Sequence, residues 1–211
     1  MADAMDHAGE WQVVWQGLRQ VTSEPSVRLV LLIGLLLSVP LGWWLATVAG
    51  WRRIPTVLTL VWTTVILALT LPVSTGGTFS AEAVRSGAGF LWHLPGQDNL
   101  TFWEYTLGTA YGVANIALYV PFGLFAALAT RRYVWSLLAG VVLTVGVETT
   151  QAMFGRIAES DDVINNTLGV LLGVAAALLI GGLLRLGRGR PAGRGTTSRH
   201  SADGGRSIDQ V

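Results

Sequence analysis

The chain has 211 residues, of which 13% are charged and 51% hydrophobic, and its mean hydropathy is +0.51. A soluble domain carries roughly a quarter charged residues, so this composition excludes an ordinary water-soluble domain and points to lipid as the solvent. A formal net charge of +1 gives no drive toward nucleic acid, and the absence of cysteine excludes disulfides, a thiol nucleophile and thiolate metal sites.

The N-terminus is acidic (Asp3, Asp6, Glu10). A secretory signal begins with positive charge, so the first long apolar run is expected to stay in the mature protein. Before that run, Trp11, Val14, Trp15, Leu18 and Val21 recur at helical spacing, with Glu10, Gln12, Gln16, Arg19 and Gln20 largely on the remaining surface. Such a helix lies in the headgroup region, where Trp is favoured, or packs as a short lid on the bundle; the sequence fits both.

A bilayer core of about 30 Å takes roughly 20 apolar residues as helix. Five runs qualify: Val27–Ala49, Ile54–Pro72, Tyr111–Ala129, Tyr133–Met153 and Val163–Leu184. The predicted fold class is therefore all-α, a polytopic transmembrane bundle of about five spans. Every basic residue is arginine. Arg52 and Arg53 follow the first span, Arg131 and Arg132 follow the third, and Arg185, Arg188, Arg190, Arg194 and Arg199 follow the fifth. Alternation puts these three places on one side, which the positive-inside rule makes cytoplasmic. The N-terminus is then outside and the C-terminus inside.

The segment 73–110 is longer than a plain connector. Its Phe90, Leu91 and Trp92 suggest an interfacial or re-entrant piece. After about Gly187 the chain turns rich in Gly, Arg and Ser, a disordered tail by composition. The expected organisation is an N-terminal segment over 1–26, a membrane domain over 27–186 and a tail over 187–211.

Polar side chains inside a span are costly and usually face the bundle interior. The third span has Asn115 and Tyr119, followed by Pro121 and Gly123. The fourth has Thr144, Glu148 and Gln151. The fifth opens with Asp161, Asp162, Asn165 and Asn166. Thr144, Glu148 and Gln151 are spaced by four and three, and Asp162, Asn166, Gly169 and Gly173 by four, three and four. Each set makes one helical stripe, and Gly169 with Gly173 forms a GxxxG that admits a neighbouring backbone. In a five-span chain Asn115, Glu148, Gln151 and Asn166 all fall within roughly 10 Å of the outer interface, at 1.5 Å per residue. Arg156 and Glu159 sit in the short loop above them. One polar pocket opening outward is the simplest arrangement. The structural reading of the same residues is interhelical hydrogen bonding, a Glu148–Arg156 pair, and capping of the fifth helix by Asp161 and Asp162.

The order Asn115-x-x-x-Tyr119-x-Pro121-x-Gly123, Glu148-x-x-Gln151, Arg156, then Asp162-x-x-x-Asn166-Thr167-x-Gly169 resembles the VanZ-like family. The match in order and spacing runs over about Asn115–Gly173, with Tyr119 where many members have Phe. The resemblance implies a multi-pass protein of the bacterial plasma membrane with a role in the cell envelope; the family's named member is associated with teicoplanin resistance. The ligand-binding candidates in the expected polar pocket are Asn115, Tyr119, Glu148, Gln151, Arg156, Asp162 and Asn166.

Three functions compete on these residues. The leading one is a non-enzymatic protein that binds an envelope lipid, a glycopeptide-like ligand or a partner helix, with Arg156 holding a phosphate or carboxylate. The second is an enzyme acting on a lipid-linked envelope substrate, with Glu148 and Asp162 as acid and base. The third is a transporter using Glu148 as a proton site. Against catalysis, Gly-x-Ser-x-Gly, His-Glu-x-x-His and Walker sequences are absent. No ligand spacing accompanies His93, so neither metal nor cofactor is expected.

Overall fold

The computed structural model describes residues 2–71, 79–86, 106–154 and 160–188. They form seven named helices in chain order: α1 Ala2–Ser23, α2 Pro25–Ala49, α3 Arg53–Thr70, α4 Ala81–Ser86, α5 Ala110–Thr130, α6 Tyr133–Met153 and α7 Ser160–Arg188. Five of them, α2, α3, α5, α6 and α7, are long and apolar enough to cross a membrane. The five runs expected from sequence are thus present. The last helix opens three residues earlier than the apolar pattern, at Ser160, because its first turn is built from polar residues.

The helix ends are legible in local chemistry. Pro25 opens α2, where its missing N–H would be unpaired anyway. Gly50 closes it with a left-handed φ of 67°. Thr109 caps α5 by accepting from the Gly112 N–H at 3.1 Å. Pro121 inside α5 has no N–H to give and crowds the preceding turn. Trp62 reaches into that turn from α3, its indole Nε1 donating to the Leu118 carbonyl at 2.6 Å.

Packing proceeds as a chain of neighbours. α2 leans on α3, α3 on α5, α5 on α7, and α7 on α6, with the α5–α7 contact the most extensive. The core sits between α3, α5, α6 and α7, around Ile66, Tyr119, Phe122, Val147, Val170 and Val174. At the α5–α7 crossing a Cβ on Gly123 would collide with the Val170 carbonyl, one on Gly169 with the Ile116 carbonyl, and one on Gly173 with the Val120 carbonyl. Only glycine lets the two backbones approach this closely.

The two ends of the bundle differ. At one, the Arg52 N–H donates to the Ala129 carbonyl at 3.2 Å, so the α2–α3 and α5–α6 breaks with their arginine pairs lie together. Arg53 stacks over Trp43, its guanidinium carbon 4.4 Å from the ring centroid. The opposite end gathers the C-termini of α3 and α6 with the N-termini of α5 and α7. There the Ser80 N–H donates to the Met153 carbonyl at 3.1 Å, and Phe79 meets Phe154 edge to face, 6.0 Å between centroids.

The expected tail, apart from the end of α7, lies outside the described residues, as do His93 and most of segment 73–110, including Phe90, Leu91 and Trp92.

Candidate functional site

Three helices bring their polar stripes together at the end opposite the arginines. Asn115 lies five residues into α5, and its Nδ2 donates to Asp162 Oδ1 in the first turn of α7 at 2.7 Å. One turn further along α7, Asn166 Nδ2 donates to Thr144 Oγ1 on α6 at 2.9 Å. Gln151, at the last turn of α6, donates from Nε2 to the Thr70 carbonyl at 2.9 Å. Thr70 ends α3, so that carbonyl has no partner in its own helix. The Gln151 amide supplies one.

Glu148 and Tyr119 lie between these bonds. Glu148 is 2% exposed and Tyr119 is fully buried. Tyr119 stands beside Thr144 and within electrostatic reach of both Glu148 and Asp162. Its hydroxyl faces the Thr144 hydroxyl, which also accepts from Asn166. Six of the seven expected site residues are therefore gathered on α5, α6 and α7, from the polar end down to Tyr119 at mid-helix. The seventh, Arg156, lies outside the described residues, as does Glu159, so the expected Glu148–Arg156 pair falls there too.

The structure adds a residue that spacing alone set aside. Asn165 is 0% exposed, and neither its Oδ1 nor its Nδ2 has a hydrogen-bond partner. It stands three residues after Asp162 and four before Gly169, which faces Ile116 and Tyr119. Its side chain therefore lies on the α5 side of α7, among the polar groups above. Asn166 Oδ1 is likewise buried and unpartnered. A buried polar group left unpaired costs about 1–3 kcal/mol. In native proteins such groups are met by ordered water or by a ligand. Among the described residues no three His, Asp or Glu side chains stand close enough to share a metal ion.

A family model described as VanZ/LLP1 matches residues 78–181. That stretch contains α4, α5, α6 and most of α7, and so every one of the seven site candidates. Over that stretch this membrane protein is VanZ-like. Comparison with curated proteins and with solved structures gives no match. The VanZ-like stretch omits α1, α2 and α3, yet the site uses α3 through the Thr70 carbonyl. α3 thus buttresses the VanZ-like part, and α2 packs behind it.

Proposed function

We propose that this VanZ-like protein sits in the bacterial plasma membrane and binds the polar headgroup of an envelope lipid at the outward-facing end of α5, α6 and α7. The observation that carries the reading is Asn165, an amide with one acceptor and two donors, fully buried yet unpartnered. Asn166 Oδ1 adds an unfilled acceptor nearby. Together they can meet a ligand that both donates and accepts, while Glu148 and Asp162 supply carboxyl oxygens. The neutral groups fix orientation, and Arg156 in the following loop is a candidate to hold a phosphate. Binding without turnover is the preferred reading, because the sequence carries none of the Gly-x-Ser-x-Gly, His-Glu-x-x-His or Walker motifs. Altered sensitivity to teicoplanin belongs to the same proposal, through a change in the lipid available at the outer surface.

The test is retention of lipid by the purified protein, read by native mass spectrometry after extraction from bilayers of phosphatidylethanolamine, phosphatidylglycerol and cardiolipin. A selective adduct is expected, and Asn165→Leu should weaken it roughly tenfold, the equivalent of about 1.4 kcal/mol. Equal, non-selective adducts in wild type and variant would reject headgroup binding. Glu148→Gln and Asp162→Asn should both insert and accumulate. Conversion of an added envelope lipid by wild type, lost by orders of magnitude in these variants, would replace binding by catalysis.

A further inference from the structure

α1 presents three faces. At about 100° per residue, Glu10, Val14, Gly17 and Val21 share one edge. That edge meets the bundle: Glu10 Oε2 accepts from the Ala110 N–H of α5 at 3.0 Å, and Val14 and Val21 are partly buried. About 100° further round stand Trp11, Trp15 and Leu18, exposed by 39%, 58% and 37%. On the remaining side are Gln12, Gln16, Arg19 and Ser23, all exposed.

The attachments fix where this helix runs. Its C-terminus turns into α2 within two residues, a corner held by the Glu24 N–H donating to the Val21 carbonyl at 3.2 Å and by Arg28 Nε donating to the Thr22 carbonyl at 3.1 Å. Its Glu10 touches the start of α5, and it also packs on α3. The starts of α2 and α5 and the end of α3 all lie at the polar end of the bundle. So α1 crosses that end instead of prolonging α2. Past the corner, Leu29, Leu32 and Leu36 of α2 are exposed as well. A helix with one edge on protein, one aromatic face and one polar face, at the end of membrane-crossing helices, has the geometry of a headgroup-layer helix.

We propose that α1 is a lipid-seated strap: Trp11, Trp15 and Leu18 enter the headgroup layer, and Glu10 holds the first turn of α5, roughly 8 Å along the axis from Asn115. Glu10 is well suited to this hold, because a carboxylate at a helix N-terminus takes up an otherwise unpaired N–H and faces the positive end of the dipole.

The chain has no native cysteine, so single cysteines can carry an environment-sensitive fluorophore. Labels at Trp15→Cys and Gln16→Cys would be compared in nanodiscs containing brominated lipid. Quenching several-fold stronger at position 15 is expected; equal quenching would overturn the lipid seating. Hydrogen–deuterium exchange tests the hold. Glu10→Ala should speed exchange in the first turn of α5 about tenfold with α6 and α7 unchanged, and Glu10→Gln, which keeps an acceptor oxygen, should restore most of the protection. No change with Glu10→Ala, or faster exchange spread over α6 and α7 as well, would overturn the strap.

Discussion

Asn165 shows what a single residue contributes and why it was hard to read. Spacing from Asp162 selects a stripe through Asn166, Gly169 and Gly173, and Asn166 does bond Thr144 across to α6. Asn165 satisfies the same geometry from the other side, yet the sequence does not reveal that the helix in front of it offers no partner. Replacing it with leucine, close in size and shape, removes an unsatisfied amide from the interior. Without ligand, Asn165→Leu should therefore raise stability by about 1–3 kcal/mol, measured as a shift in the detergent-unfolding midpoint, while lipid retention falls. Stability lost in the variant would mean that Asn165 holds the fold and not a ligand. The Asn115–Asp162 bond behaves differently, being a satisfied pair. Alanine at either position should cost stability, and the two should be non-additive by about 0.6 kcal/mol, the average for interhelical bonds in membranes, and by no more than about 1.7. Additive losses would show that the two side chains do not bond in the membrane.

At the scale of the helices, the α5–α7 crossing decides whether the polar groups can meet at all. The GxxxG of Gly169 and Gly173 was legible because it prolongs the Asp162–Asn166 stripe. Its reciprocal, Gly123 against the Val170 carbonyl, was not, since nothing in one helix names its neighbour. The hold of Glu10 on Ala110 was beyond sequence reasoning for the same reason, joining residues 100 apart. Hydropathy placed the five spans to within a few residues, because lipid punishes a misplaced apolar run heavily. Gly173→Ala should cost about 1–3 kcal/mol by overpacking, because the obstacle is backbone and cannot swing aside. It should also weaken lipid retention, by separating Asn115 from Asp162. Gly146→Ala, with nothing within 4 Å of the added carbon, is the control and should be neutral or slightly stabilising. Equal effects at the two glycines would remove the close crossing from the account.

Across the whole molecule the polar and arginine-bearing ends are opposite by construction. Each connection between consecutive spans reverses direction, and the Arg52–Ala129 and Gln151–Thr70 bonds mark the two ends independently. Which end faces the cytoplasm is an electrostatic matter settled during insertion, when loop arginines resist translocation. Arg52, Arg53, Arg131 and Arg132 share one end, and α7 carries Arg185 toward it. The polar cluster should therefore open outward. Single cysteines at Arg132 and Arg156, probed in intact cells with a membrane-impermeant thiol reagent, would separate the ends. Arg156→Cys should label in whole cells, and Arg132→Cys only after the membrane is permeabilised. Labelling in the opposite sense would turn the site to the cytoplasm, where it would meet inner-leaflet headgroups, and an envelope lipid of the outer surface would no longer be within its reach. Labelling of both from the same side would break the alternation itself, because Tyr133–Met153 spans the distance between them.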